Sequence, residues 1–138
     1  MTETFTRVNY SETDQMGVVY HARYLVWLDV ARCELLRERG MTYAELEGRG
    51  LRLAVTDLRI RFRRPARYDD LVRVRCWVRE SEPRRVRFGH ALDLPADRTL
   101  LATAEVSLLA LGEGFQLARL PADALGLLGP EADPVRLF

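Results

Sequence analysis

Lysine is missing from this chain altogether: all 21 basic residues are arginine, set against 20 acidic ones for a net charge of +1. No field of one sign surrounds the molecule, which argues against a general binder of nucleic acid or of anionic membranes. Histidine is scarce, with only His21 and His90, and Cys33 and Cys76 stand far apart without a CxxC spacing. Such a set offers no metal-ligand cluster, and the two thiols read as free and buried. No apolar run approaches the ~20 residues that span a bilayer, and Met1 to Thr6 lacks a basic patch followed by an apolar stretch. The expectation is a cytoplasmic protein with no membrane insertion. G-x-G-x-x-G, the Walker A loop and G-x-S-x-G are absent as well, which removes the dinucleotide-binding, P-loop and serine-hydrolase classes.

What remains is 138 residues with 48% hydrophobic content, enough for one domain with its own core. Residues 5–10 alternate as a short strand, and residues 11–17 are turn chemistry. From Ala22 to Arg39 the apolar period becomes helical, with Leu25, Leu28, Ala31 or Arg32 and Leu35 flanked by Tyr24, Trp27 and Leu36. Gly40 stops that helix, and Thr42 with Glu45 has the spacing of a capping box for a second. Beyond Gly50 the pattern is strands: Leu58, Ile60 and Phe62 alternate with arginines, then Val72 to Val78, Val86 to Leu94, and the long run Leu100 to Leu111. A last strand is expected over residues 115–120. The extension 121–138 is expected to hold a short helix near 122–128 and then fray. One long helix followed by strands on short turns predicts an α+β domain with an antiparallel sheet packed on that helix.

Charge, a glycine turn and a helix start converge between Arg7 and Tyr24. Asp14 lies on a turn that Gly17 permits, just before the long helix, whose first amides lack partners and carry partial positive charge. A carboxylate beside an oxyanion site is a sufficient minimum for acyl transfer. Asp14 is equally well read as an ordinary turn residue, and Tyr20 and Tyr24 as core or interface aromatics. His90, on an apolar strand face, reads as a core or interface histidine. Arg84 and Arg85, on a turn between strands, are either phosphate ligands or a solvated charge cluster.

The stretch Arg7-Val8, Thr13-Asp14, Gly17-Val18-Val19, His21 and Tyr24 resembles the active-site signature of the 4-hydroxybenzoyl-CoA thioesterase family, a branch of the hotdog-fold thioesterases. Ala31 to Arg37, Pro65-Ala66-Arg67 with Asp69-Asp70, and Ala104-Glu105-Val106 are similar to further family segments. The resemblance covers residues 5–120 and is nearest the bacterial acyl-CoA thioesterases associated with the Tol-Pal system. It implies a hotdog fold, in which the antiparallel sheet wraps one long central helix. It also implies hydrolysis of an acyl-CoA thioester without a cofactor, CoA being part of the substrate. Asp14 then takes the place of the nucleophile or general base, and the backbone amide at His21 that of the carbonyl-polarising donor, with Gly17 as the turn. Tyr20, Tyr24, Arg84 and Arg85 are candidate substrate contacts. The serine or threonine usual beside the family's phosphate-binding arginine is missing after Arg84. That departure leaves open a non-catalytic module binding acyl-CoA or acyl carrier protein, or an acyl-carrier-protein thioesterase. Homodimers or homotetramers are implied too.

Overall fold

A computed structural model describes all 138 residues. The alternating segments form five strands, β1 (Thr2–Arg7), β2 (Arg52–Phe62), β3 (Leu71–Ser81), β4 (Arg85–Leu94) and β5 (Thr99–Leu111). They make one sheet in the order β1-β3-β4-β5-β2, antiparallel at every step. Three helices accompany it: α1 (Arg23–Glu38), α2 (Tyr43–Gly48) and α3 (Ala122–Gly126). The α+β architecture expected from the sequence, a sheet on one long helix, is the hotdog arrangement. No helix is long and apolar enough to cross a membrane.

α1 lies against β1 and β3 because Tyr24, Trp27, Leu28, Ala31, Leu35 and Leu36 recur at three and four and form one buried stripe. Across from it, Val72, Val74, Cys76 and Val78 of β3 and Val86, Phe88 and Leu92 of β4 complete the main core. Each large side chain fully buried here contributes about 1.5–3 kcal/mol of transfer free energy. Leu25, expected in the stripe, is 40% exposed because it lies one position round from it. The helix ends as its glycine predicts: Gly40 has φ 94°, its N–H donates to Arg37 O, and Met41 N–H reaches back to Leu36 O. The capping box of α2 is also present, with Glu45 N–H on Thr42 Oγ1 at 3.1 Å and Thr42 N–H on Glu45 Oε2 at 3.0 Å.

Three expectations need correction. β1 pairs from Thr2 to Arg7 rather than over 5–10, since its partner β3 begins at Leu71 opposite Arg7. No strand forms over 115–120. β5 extends only to Leu111, beyond its Leu109 pairing with Arg85, so the returning chain finds room for a single bridge, Leu111 to Leu117. The Glu113–Phe115 turn between them is 3-10. The expected one buried face of β2 is also thin. Ile60 packs on the core, but Val55, Leu58 and Phe62 are 40–51% exposed, because β2 is an edge strand on the far side of the sheet from β1, which α1 covers.

The C-terminal segment does not fray. After α3 it crosses the sheet face opposite α1, and Glu131 N–H donates to Val78 O at 2.8 Å. Asp133 accepts from Trp77 Nε1 at 2.8 Å and pairs with Arg79, while the Leu137 carbonyl accepts from Thr103 Oγ1. Leu137 packs with Trp77 and Ala91 in a small second core, and the Arg59 guanidinium sits 3.9 Å over the Phe138 ring. Arg59, Arg63 and Arg79 are thus ligands of the tail.

Trp77 lies flat only because its cross-strand partner is Gly89. A β-carbon there would come within 2.5 Å of the indole. Gly89→Ala should therefore destabilise the fold by about 1–3 kcal/mol, read as a lower midpoint of thermal or urea unfolding. His90, next along β4, is fully buried. Its Nε2 donates to Leu28 O at 3.2 Å and its Nδ1 has no partner. Burial first, then the nearby Arg32 charge, lowers its pKa from 6.5 to about 3, the Leu28 bond opposing. The unfolded chain therefore takes up a proton that the folded one refuses. This costs stability as pH falls from about 6.5 toward 3, by up to about 1.4 kcal/mol per pH unit. Against wild type, His90→Leu should gain in relative unfolding free energy as the pH is lowered through that window; a constant difference would refute this.

Candidate active site

Beyond β1 the chain makes one 3-10 turn, Tyr10–Glu12, then doubles back between Thr13 and Val19. Asp14 N–H donates to Val18 O at 2.9 Å and Gly17 N–H to Asp14 O at 3.0 Å. Gly17 closes the loop at φ 76°, where any side chain would be strained. Asp14 Oδ1 accepts the Met16 N–H at 2.8 Å, an Asx turn, so the ordinary reading of this aspartate is true of one of its oxygens. Oδ2 takes no hydrogen bond from the protein.

Ala66 fixes where this loop sits. Its carbonyl accepts Val19 N–H at 2.8 Å, and its own N–H donates to the Tyr24 hydroxyl at 3.1 Å. Tyr24 is 2% exposed and burial pushes its phenol above the ordinary value, so it remains a neutral acceptor. On the other side, Glu12 holds the start of α1: its carbonyl takes Tyr20 N–H at 2.9 Å and its carboxylate takes Trp27 Nε1 at 3.0 Å.

α1 begins without a side-chain cap. Ala22 occupies the cap position, and the backbone N–H groups of His21, Ala22 and Tyr24 find no acceptor within the chain. A 16-residue helix concentrates partial positive charge at such an end, directed at whatever lies beyond it.

A cavity of about 300 Å³ lies there, lined by Asp14, His21, Tyr24, Phe62, Arg63 and Arg64, with Met16, Val18, Val19 and Pro65. Of the candidates read from sequence, Asp14, His21 and Tyr24 come together at this cavity and Gly17 shapes the loop beside it. Tyr20 does not line it; its exposed ring packs at 4.7 Å on the His21 ring, whose other neighbour is Phe62. Arg84 and Arg85 lie at the other end of the sheet in the same chain. Arg85 pairs with Leu109 of β5, whereas Phe62 pairs with Ala102. Arg85 is held by Glu82 at 3.3 Å, and Arg84 is free.

Phe62, Arg63 and Arg64 were not among the candidates read from sequence, although the strand pattern breaks at Pro65 just beyond them. That break was the available signal, since the strand end abuts the Asp14 loop through Ala66. Arg63 is committed to the tail, donating to Leu137 O at 3.1 Å, whereas Arg64 stands unpaired at the cavity mouth. A half-free carboxylate, uncapped amides and an apolar wall on one cavity suit attack on a carbonyl whose oxygen gains charge.

The family model described as the thioesterase-like superfamily matches residues 8–125, which takes in the Asp14 loop, α1 and strands β2 to β5. The acyl-CoA thioesterase YbgC of Haemophilus influenzae is 37% identical over 108 residues, 78% of this chain and 79% of that protein. Among solved structures, the hypothetical protein TT1821 from Thermus thermophilus superposes with a TM-score of 0.87 at 36% identity, covering 93% of this chain and 97% of that one. The DHNA-CoA thioesterase from Staphylococcus aureus superposes with a TM-score of 0.82 at 30% identity, covering 86% and 80%. The family match alone spans the cavity-forming elements and four of the five strands.

Proposed function

The chain belongs to the thioesterase-like superfamily and is a thioester hydrolase, and from that premise we propose that it cleaves acyl-CoA to a carboxylic acid and free CoA at the Asp14 cavity. The observation that carries this reading is that Asp14 and the uncapped N-terminus of α1 open onto one cavity. In the proposed reaction the thioester carbonyl carbon lies against Asp14 and its oxygen against the backbone N–H at His21. Asp14 either attacks the carbon, expelling CoA thiolate and leaving an anhydride that water opens, or takes a proton from the water that attacks. In both routes the carbonyl oxygen becomes negative beside the helix end, where the amides stabilise it. CoA arrives as part of the substrate, and no cofactor enters the scheme. The Met16, Val18, Phe62 and Tyr24 wall suits an apolar acyl group. We favour acyl-CoA over a dedicated hydroxybenzoyl ester because the curated relative above bears the acyl-CoA name.

Asp14→Asn keeps the shape of the turn and removes the charge. It is expected to lower kcat by at least ~10² in a thiol-release assay with an unchanged unfolding midpoint. Retention of most turnover would exclude both routes. Running the same assay on CoA and carrier-protein thioesters separates the acyl-carrier-protein alternative.

The CoA phosphates need cations, and β2 suggests where these come from. It is an 11-residue edge strand whose outward N–H and C=O groups are unpaired and whose apolar side chains stay exposed. Such an edge favours pairing with a second copy. Antiparallel β2–β2 pairing about a two-fold axis sets the Arg52 end of one copy beside the Phe62 end of the other. The Arg84 turn, next to that Arg52 end across β5, then approaches the neighbouring Asp14 cavity. Arg84 and Arg85 thereby act in the partner's site rather than their own, and two such dimers would make the tetramer. Light scattering should give a dimer or larger at micromolar concentration, and Arg84→Ala should raise KM several-fold with kcat nearly kept. A stable, active monomer would overturn the shared-site arrangement while leaving the Asp14 chemistry intact.

A further inference from the structure

The sheet face turned away from α1 carries a second concentration of charge that thioester cleavage does not use. Alternation along β3 places Arg73 and Arg75 on this face, and register sets Arg73 opposite Asp93 of β4. The Asp93 side chain is 3% exposed. It accepts Arg73 Nε at 2.9 Å, Arg73 Nη2 at 3.0 Å and Arg75 Nη2 at 2.9 Å, so its two oxygens are fully engaged. Arg73 is occupied further by Glu3 at 3.3 Å. This much is an ordinary structural ion-pair cluster.

The surplus is what needs explanation. Beside the cluster is a cavity of about 400 Å³ lined by Arg73, Arg75, Arg98 and Asp93, with Leu100 and Val135 as apolar walls. Three guanidinium groups and one carboxylate line it; with Glu3 on Arg73, the cluster carries a net charge of +1, and Arg98 is the cation left without an acid. Arg75 Nε is buried and has no acceptor, and Arg98 makes neither an ion pair nor a side-chain hydrogen bond. Val135 comes from the C-terminal segment, so the tail that closes over the sheet also walls this cavity. A buried N–H donor without an acceptor is rare, and Arg75 Nε together with the unpaired Arg98 beside apolar walls suits an anion. Arginine forks match the tetrahedral oxygens of phosphate in geometry as well as charge.

We propose that this cavity binds a phosphate group between Arg75 and Arg98, on the sheet face opposite the Asp14 site. The anion is either free inorganic phosphate or the phosphomonoester group of a larger molecule. The site is separate in residues and in face from the thioester cavity, and it stands whether or not the acyl-CoA reading does.

Thermal unfolding of the full chain is the test, titrated with inorganic phosphate or with AMP and compared with chloride at matched ionic strength. Wild type should gain several degrees saturably. Arg98→Ala, a change at an exposed turn, should weaken that gain at least ~10-fold while thiol release stays as in wild type. Arg75→Gln, which retains side-chain bulk, should weaken it similarly. Asp14→Asn should bind phosphate as wild type does, which keeps this result independent of the hydrolase reading. Tighter binding of AMP assigns the site to a phosphomonoester, and tighter binding of phosphate assigns it to the free anion. Stabilisation no greater than chloride gives, or a gain that survives intact in Arg98→Ala, overturns the proposal.

Discussion

The arrangement depends on how α1 is held against the sheet. Burying Trp27, Leu28, Ala31, Leu35 and Leu36 on β1 and β3 fixes the helix axis, and that decides where its uncapped N-terminus emerges. A helix end is useful chemically only if something is held in front of it. Here the Asp14 loop is pinned there by Ala66, which accepts from Val19 and donates to Tyr24. Tyr24 belongs to the helix and Val19 to the loop, so one residue after β2 sets the distance between carboxylate and amides. The constraint is rigid because each participating group is buried and satisfied.

The two faces of the sheet are finished differently. One is closed by α1 through apolar contact. The other is closed by the chain's own C-terminal segment through ionic and carbonyl contacts to Arg63, Arg79, Trp77 and Thr103. An arginine-only chain suits that second solution, since planar guanidinium groups can engage carboxylates and backbone carbonyls together. Many pairs on this face are partly buried, with Asp93 and Glu105 largely shielded, so each broken pair would leave a stranded charge. The tail is therefore part of the fold, and it leaves the outer backbone edge of β2 unpaired.

Sequence carried the helix, its glycine stop, the α2 capping box and the central strands, because each is written in local periodicity or a short-range hydrogen bond. It failed where the outcome depended on distant partners. The tail looked like a fraying end because Glu131, Asp133 and Leu137 have no local pattern; their partners lie on β3 and β5. The strand over 115–120 failed for a similar reason, since pairing needed an open edge that β5 does not extend far enough to offer. At the site, Asp14, Gly17, His21 and Tyr24 were legible as one contiguous motif. Phe62 and Arg64 were not, because they reach the cavity only when β2 ends beside Ala66.

His21 shows why motif residues need geometric assignment. A histidine beside a reacting carbonyl ordinarily attracts the proton-transfer role. Its ring here packs against Tyr20 at 4.7 Å and edge-on to Phe62 at 6.5 Å, an aromatic setting that fits it for shaping the cavity wall. Its main-chain N–H, by contrast, is unpaired at the helix end and reinforced by the whole helix behind it. In the proposed mechanism Asp14 serves as base or nucleophile, so a second base would add little, whereas an oxyanion without a donor would leave the barrier high. The proposed mechanism therefore asks more of the backbone at this position than of the imidazole.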